Sequence, residues 1–351
     1  MKALAAPMLS HLDPQFVEIM DDVRARLGRV FQAPQGSFAF AVSGTGTSAM
    51  ETAIANLVAP GTRVLSVVTG YFADRLAQMA TRYGAEVTRV EAEWGRAIDP
   101  EQVRQALKAS GADVVTIVHA ETSTGVLNPV QAVAAIAREH GALIIVDAVT
   151  SLGGMPLDVA GWGLDVVYSC SQKCLGAPPG ASPIVFSPRA LEKKVTCRSF
   201  YFDVALLEDY WVRRKYHHTM SASLIYALRE ALTAVEEEGL QQRWARHERN
   251  HLAFAKAIAP LGLSLLPAPS DRLWTLNAVK VPQGVDDAAV RKYLLQNYNI
   301  EIGAGLGPLA GKVFRIGLMG TSSSQELVDL LTGALEKALN SLVHGLHKTG
   351  A

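Results

Sequence analysis

A short polar segment, residues 43–48 (SGTGTS), separates an apolar run from a helical pattern and has the composition of an anion-binding turn. Its small residues allow backbone N–H groups to approach an anion, its hydroxyls add donors, and the dipole of the following helix favours negative charge. The spacing is neither GxxxxGK[ST] nor GxGxxG, so a nucleoside triphosphate or a dinucleotide is not implied. The alternative is an ordinary strand-to-helix turn with a Ser or Thr N-cap.

A second candidate is Asp147, which follows the apolar run 142–146 (ALIIV). A carboxylate at the tip of a buried strand has lost water and needs a partner to remain ionised. A protonated pyridine nitrogen would be such a partner, because the carboxylate keeps the ring cationic and therefore able to accept electrons. The alternative is that Asp147 caps the following turn through Thr150 or Ser151.

The third candidate is Lys173, which lies in residues 166–180 (VVYSCSQKCLGAPPG), after a strand-like run and before a segment rich in Gly and Pro. Lysines usually lie on solvated surfaces, whereas a desolvated lysine near other cations has a lowered pKa and can form an imine. A solvated turn lysine is the alternative. The order of anion cradle, strand-tip acid and turn lysine favours one phosphorylated aromatic cofactor that contacts all three.

A sheet that presents strand ends at one edge would bring these segments together. Short runs rich in Val, Ile and Leu alternate with amphipathic stretches between about residues 37 and 186. The predicted strands are 63–67, 87–90, 114–118, 143–146, 166–168 and 184–186. The predicted helices are 48–58, 74–83, 100–109 and 130–140. This alternation predicts a mostly parallel α/β sheet with helices on both faces and ligands at the carboxyl ends of its strands.

The pattern changes after Trp211, and 351 residues are too many for one compact core. A long helical stretch at 221–259 precedes shorter segments. These are predicted strands at 263–265, 274–281 and 313–316 and helices at 286–298 and 324–342. We predict a large domain, residues 1–238, and a smaller C-terminal α+β domain, residues 239–351.

Composition argues against several classes of function. Thirty-three basic residues balance thirty-three acidic ones, so no net charge favours nucleic acid or an anionic membrane. Cys170, Cys174 and Cys197 have no CxxC spacing, which argues against a metal site and a disulfide framework. The N-terminus does not resemble a signal peptide, and no apolar run approaches about 20 residues. We expect a soluble cytoplasmic protein without a metal.

Several motifs recur in one known family. They are residues 119–125 (HAETSTG), 146–154 (VDAVTSLGG), 171–173 (SQK), 177–180 (APPG), 216–219 (YHHT) and 311–317 (GKVFRIG). In combination they resemble the fold-type I, class V aminotransferases, and within them the alanine–glyoxylate / serine–pyruvate group. The resemblance extends from about residue 8 to residue 340. It implies a pyridoxal 5′-phosphate (PLP) enzyme with the fold-type I architecture.

The resemblance also implies roles for individual residues. Lys173 would hold PLP as a Schiff base and then act as acid and base, and Asp147 would pair with the pyridine nitrogen. The other implied cofactor contacts are Thr45, Gly46, Thr47 and Gln172 at the phosphate, and Phe72, Thr122 and Val149 around the ring. Arg315 would clamp the substrate carboxylate in a bidentate manner that lysine cannot reproduce. Without the family, Arg315 would be interpreted as the exposed face of an edge strand.

The group further implies a homodimer in which Tyr216 and Thr219 contact the phosphate of the neighbouring subunit's cofactor. The implied substrates are a small amino acid, alanine or serine, and glyoxylate or pyruvate. We interpret His217 and His218 as packing residues rather than a metal pair, because adjacent strand residues point to opposite faces.

This sequence departs from the family in two respects. Phe72 stands where the group usually has a stacking Trp, with Tyr71 as a competitor for that role. The sequence begins at Met1, past the Gly-Pro-Gly-Pro arm of the family, so we expect either another start or a more open pocket mouth.

The same residues allow three other interpretations of the function. Relatives with larger or doubly charged substrates would need a second cation, and the candidates here are Arg75, Arg198 and Arg214. A lyase or cysteine desulfurase of the same fold would need a nucleophilic thiol on a mobile loop. A PLP-binding protein without catalytic activity is the third reading.

Overall fold

The computed structural model describes residues 2–346, and a seven-stranded sheet with flanking helices is their main feature. The strands are β1 (Phe38–Ser43), β2 (Arg63–Val68), β3 (Glu86–Glu91), β4 (Val114–Val118), β5 (Ala120–Glu121), β6 (Val126–Leu127), β7 (Leu143–Asp147), β8 (Val166–Tyr168), β9 (Ala181–Phe186), β10 (Leu276–Lys280), β11 (Gly303–Ala304) and β12 (Val313–Gly317). The α-helices are α1 (Pro14–Val30), α2 (Gly46–Leu57), α3 (Tyr71–Arg82), α4 (Pro100–Ser110), α5 (Val130–Glu139), α6 (Pro188–Glu192), α7 (Val204–Trp211), α8 (Ala222–Glu238), α9 (Leu240–Ile258), α10 (Asp287–Tyr298) and α11 (Gln325–Leu346). Short 3₁₀ helices cover Ala3–Ala5, Ala259–Leu261, Pro269–Asp271, Gly307–Leu309 and Gly320–Ser322.

The large sheet has the strand order β1-β9-β8-β7-β4-β2-β3. Strand β9 pairs in antiparallel fashion with both β1 and β8, and the other neighbouring pairs are parallel. Strands β4 and β7 are buried along their whole length, as expected for strands covered on both faces. The predicted α/β fold with a mostly parallel sheet is therefore confirmed.

This topology places the three candidate segments at one edge of the sheet. The carboxyl ends of β1, β7 and β8 lie at that edge because these strands run in the same direction. The antiparallel strand β9 begins there, with Ala181 paired to Ser43. The residues between β8 and β9, which include Lys173, are thereby held beside the end of β7.

Several elements of the structure differ from those predicted from sequence, either in their presence or in their length. Helix α1 and strand β1 were not predicted. The helical stretch 221–259 consists of two helices, because Gly239 adopts φ +80° between α8 and α9 and ends the first of them. The predicted strand 263–265 is reduced to one bridge, between Leu265 and Val279.

The two largest hydrophobic cores accompany the seven-stranded sheet and a three-stranded sheet. The larger core collects buried side chains between Phe16 and Val235, and a second core collects those between Phe254 and Leu339. The second core packs around the antiparallel sheet β10-β12-β11. We propose on this basis the division into domains 1–238 and 239–351. Within residues 2–346, no helix combines the length and the apolar character that crossing a bilayer requires.

Candidate active site

A cavity opens at the carboxyl edge of the large sheet and is also bordered by the small sheet. Its walls are formed by Thr45, Gly46, Thr47, Met50, Phe72, Arg75, Val118, Ala120, Thr122, Asp147, Val149, Thr150, Cys170, Gln172, Lys173, Leu276 and Arg315. The structure thus brings together ten of the twelve site residues predicted from sequence, namely Thr45, Gly46, Thr47, Phe72, Thr122, Asp147, Val149, Gln172, Lys173 and Arg315. Tyr216 and Thr219 lie elsewhere.

The first wall is the amino end of α2. Thr45 has the extended backbone of an N-cap residue, but within residues 2–346 no side chain caps this helix end. Ser48 instead donates its hydroxyl to the Thr45 carbonyl, at 2.6 Å. Gly46 lies so close to Val149 that an added β-carbon would be 3.1 Å from Val149 Cγ2. The free N–H groups of this turn are suited to an anion.

Asp147 ends β7 with only 4 % of its surface exposed. Its Oδ1 accepts a hydrogen bond from the Val149 N–H and its Oδ2 accepts one from the Tyr168 hydroxyl, both at 2.8 Å. The carboxylate does cap the following turn, although the donor is Val149 rather than Thr150 or Ser151. Burial raises the pKa of Asp147 to about 7, against the lowering effect of these two hydrogen bonds. A cation bound beside this carboxylate would keep it ionised.

Lys173 lies in the turn between β8 and β9 and is half-buried in the cavity wall. The turn is fixed on both sides. The Cys174 carbonyl accepts a hydrogen bond from the buried Arg243 Nη2 at 2.6 Å, and Ser171 Oγ donates to the Pro178 carbonyl at 2.5 Å. The alternative of a freely solvated surface lysine is inconsistent with this position.

Glu121 fixes the start of α3, which carries Phe72. Its buried carboxylate accepts hydrogen bonds from the Ala73 N–H at 3.0 Å, the Phe72 N–H at 3.4 Å and the Ser123 hydroxyl at 2.6 Å. Gly70 permits this contact, because an added β-carbon would lie 2.4 Å from Ser123 Oγ and 2.5 Å from Glu121 Cγ. The orientation of the first turn of α3 is therefore set from a neighbouring segment.

Phe72 and Val149 both line the cavity, together with the buried Thr122. Tyr71 was the competitor for the stacking position, but its side chain is 38 % exposed and is not part of the cavity wall. Phe72 is the aromatic residue in a position to stack.

Arg315 lies on β12 and faces the cavity from the small sheet. The edge-strand reading is wrong, because β12 is the central strand between β10 and β11 and the side chain is half-buried. Its Nε donates to the Ala304 carbonyl at 2.6 Å. Gly303 pairs with it, and an added β-carbon there would be 3.2 Å from Nη2. No carboxylate in the described residues lies within 4.0 Å, so the terminal nitrogens remain available for a carboxylate ligand.

Tyr216 and Thr219 lie in an irregular segment between α7 and α8, outside the cavity of their own chain. Tyr216 is 63 % exposed, and its hydroxyl oxygen is 3.4 Å from Thr219 Oγ1. Both polar groups therefore face solvent in the single chain.

His217 and His218 do pack, but the reason given from sequence was wrong. The segment is not a strand, and the two Nδ1 atoms are 2.8 Å apart. His217 stacks on Phe200 with centroids 5.2 Å apart, and His218 Nε2 lies 2.8 Å from Ser43 Oγ. In the part of the chain that the structure describes, no three His, Cys, Asp or Glu side chains form a metal-binding group.

Of the three candidate second cations, Arg75 lines the cavity. Arg214 donates to Asp21 at 2.5 Å, and neither it nor Arg198 lines the cavity. Burial raises the pKa of Cys170 and of Cys174 to about 12, so both are thiols rather than nucleophilic thiolates. A desulfurase reaction thus has no activated sulfur at this cavity.

Sequence reasoning missed two buried residues of the site. The Tyr168 hydroxyl orients Asp147, and Glu121 orients α3. Both residues lie in motifs named in the sequence analysis, residues 166–180 and 119–125. The sequence does not show which residue a side chain at the end of a strand contacts.

The side chains present fit PLP on chemical grounds. A helix start without a side-chain cap suits the phosphate, and the buried carboxylate of Asp147 suits a pyridinium. The amine of Lys173 lines the same cavity and suits an aldehyde, while Phe72 and Val149 suit the two faces of an aromatic ring.

Comparison with known proteins agrees with this fit. A model of the family described as Aminotransferase class-V matches residues 1–331. The alanine–glyoxylate aminotransferase of Drosophila melanogaster is 38 % identical over 99 % of this chain and 90 % of its own. The crystal structure of the Nostoc sp. alanine–glyoxylate aminotransferase is 47 % identical, with a TM-score of 0.93 over 96 % of this chain and 91 % of that one.

The crystal structure of the Bacillus subtilis ureidoglycine–glyoxylate aminotransferase is 37 % identical, with a TM-score of 0.95 over 97 % of this chain and 89 % of that one. These likenesses extend over nearly the whole chain and include both sheets. The chain therefore belongs to the class-V aminotransferases and is a PLP-dependent transaminase with the fold-type I architecture.

Proposed function

We propose that this aminotransferase moves the amino group of a small amino acid, alanine or serine, to glyoxylate or pyruvate. The observation that carries the proposal is Arg315, a half-buried guanidinium of the small sheet in the same cavity as Lys173, with no carboxylate within 4.0 Å in the described residues. The other arginine of the cavity wall, Arg75, lies against Thr47 at the proposed phosphate site. Arg315 as the one carboxylate clamp therefore suits a substrate with one carboxylate. The names of the relatives from Drosophila, Nostoc and Bacillus, which all contain glyoxylate, support the acceptor.

Each residue has a definite task in this proposal. When bound, PLP supplies an electron sink for the α-carbon of the donor. Lys173 would hold the cofactor through its side-chain amine, and the same amine would be the base that takes the α-proton of the donor. Asp147, oriented by Tyr168, would pair with the pyridine nitrogen and favour its protonated form. Arg315 fixes the donor carboxylate and so holds the α-carbon within reach of Lys173 Nζ.

The other predicted residues hold the cofactor. Thr45, Gly46, Thr47 and Gln172 would contact the phosphate, and the hydroxyl of Thr122 would lie beside the ring and its phenolic oxygen. Phe72 and Val149 would cover the two faces of the ring. Contacts on both faces would hold the ring in one orientation, so less freedom of motion would be lost when the substrate reacts.

A substrate panel tests the proposed specificity. We expect the PLP-loaded enzyme to transfer the amino group of alanine or serine to glyoxylate or pyruvate with kcat/KM at least about tenfold above that for aspartate, because a second buried carboxylate would need its own cation. The measurement is initial rates with each donor and acceptor pair. Absence of turnover with every pair, from protein that carries PLP, would refute the proposal.

We further propose a homodimer in which Tyr216 and Thr219 contact the phosphate in the partner's cavity. Their position outside their own cavity and their exposed hydroxyls support this arrangement.

A cytoplasmic location, expected from composition, is likewise a proposal, and cell fractionation tests it.

Subunit mixing tests the shared site. A chain with Lys173→Ala keeps Tyr216 and Thr219, while a chain with Tyr216→Phe and Thr219→Ala keeps Lys173. A mixed dimer then contains one site with every residue intact. We expect co-refolded mixtures to exceed the summed activities of the two separate variants. If the mixture only equals that sum while mixed dimers form, the two residues do not reach across.

A further inference from the structure

Arg75 lies at the cavity beside the proposed phosphate site and takes no part in the proposed transfer of the amino group. It is on α3, one turn after Phe72, and is part of the cavity wall. Its Nη1 donates toward Thr47 Oγ1 at 3.5 Å. Its guanidinium carbon lies 5.3 Å from the ring centroid of Phe72 and 5.4 Å from that of Tyr71. The cation is thus held between aromatic faces and the start of α2.

Arg75 has no carboxylate within 4.0 Å in residues 2–346, although acids are close along the helix. The adjacent Asp74 pairs with Arg89 instead, at 2.8 Å. Arg75 itself is half-buried. A guanidinium that is partly removed from water and not paired with an acid is stabilised by any anion that enters the cavity.

The charges of the cavity wall identify that anion. Its cationic side chains are Lys173, Arg315 and Arg75, and its acidic side chain is Asp147. Lys173 is used for the covalent link and Arg315 for the substrate carboxylate. The phosphate ester of PLP carries about −1.5 to −2 charges, and a helix start offers only about half a positive charge. Arg75 is the cation in this wall that remains for the phosphate.

We propose that Arg75 is a phosphate-binding residue of the cofactor site and completes the anion cradle formed by the start of α2. The inference rests on the proposed function, because it assumes that PLP binds in this cavity. Glu121 supports the arrangement: its hydrogen bonds to the first turn of α3 fix the direction in which Phe72 and Arg75 project. The ring-stacking residue and the phosphate-binding residue are then carried by one anchored helix.

Comparing PLP with pyridoxal, which lacks the phosphate, tests the assignment. Dissociation constants are measured with the full chain stripped of cofactor, for wild type, Arg75→Gln and Arg75→Lys. We expect Arg75→Gln to weaken PLP binding about 10- to 100-fold and to change pyridoxal binding by less than about threefold, since the lost contact is to the phosphate. Arg75→Lys keeps the charge without the guanidinium fork and should lie in between. Arg82→Gln, an exposed arginine on the same helix, is the matched control and should change neither constant.

Equal losses for PLP and pyridoxal would overturn the assignment, because they would mean that Arg75 orders the ring wall. Unchanged PLP binding with a raised KM for aspartate would overturn it too, and would assign Arg75 to a second substrate carboxylate. If wild type takes up no PLP on Lys173, the proposed function itself fails. If wild type takes up PLP and Arg75→Gln binds it as tightly, only the present inference fails.

Discussion

Lys173→Ala should lower kcat by about 10⁴-fold or more, because we propose that this one amine is both the covalent anchor of the cofactor and the base that moves the α-proton. Within the described residues, Lys173 is the lysine that lines the cavity, so no second lysine there is placed to replace it. The rate is measured with saturating alanine and glyoxylate and with PLP added in excess, so that weak cofactor binding alone does not account for the loss.

Two controls make this prediction specific. Lys193→Ala removes an exposed lysine from the same domain and should leave kcat unchanged. A small added amine should restore part of the activity to Lys173→Ala, since it can enter the space that the side chain leaves. Retention of a tenth or more of wild-type kcat by Lys173→Ala would contradict the role assigned to this residue.

Arg315→Gln should lower kcat/KM for every amino donor by about 10²- to 10³-fold, the range expected when one partner of a partly buried, hydrogen-bonded ion pair is removed. The loss should appear mainly in KM if Arg315 binds the ground state, and in both parameters if it also aligns the α-carbon. Steady-state kinetics with alanine and serine separate these cases.

The small sheet supplies the control for Arg315. Lys280→Gln removes an exposed cation at the end of β10 and should leave kcat/KM unchanged. Arg315→Lys keeps the charge, but it loses the fork and the Nε bond to Ala304, so we expect an intermediate loss. An Arg315→Gln enzyme with unaltered KM and kcat would mean that another group binds the carboxylate.

Six of the seven strands of the large sheet could be predicted from sequence, because most of them are nearly continuous apolar runs separated by helical patterns of the usual length. Lys173, Asp147 and the cradle could be found for the same reason, since each stands at the end of such a run or within five residues of it. Strand β9 begins beside the cradle, which explains how segments more than a hundred residues apart meet. The apolar composition of these strands is easy to detect, because residues in strands that are covered on both faces of a sheet are mostly apolar.

The features that sequence did not give depend on contacts between distant segments. Gly239 divides a helical pattern only because it adopts φ +80°, which a pattern does not show. Arg315 was interpreted as an edge residue in the absence of the family, since pairing of β12 on both sides with β10 and β11 follows from topology alone. The contacts of Glu121 and Arg75 depend on the position of α3 beside the cavity, which the sequence does not show.

The most direct test of the account is to reduce the PLP-loaded enzyme with borohydride and to map the labelled peptide. Reduction makes a covalent link between cofactor and amine permanent, so the site of attachment can be read by mass spectrometry. We expect one label per chain, on Lys173, and none in the Lys173→Ala protein. A label on another lysine of the active enzyme, or an active enzyme whose Lys173 stays unmodified, would contradict it.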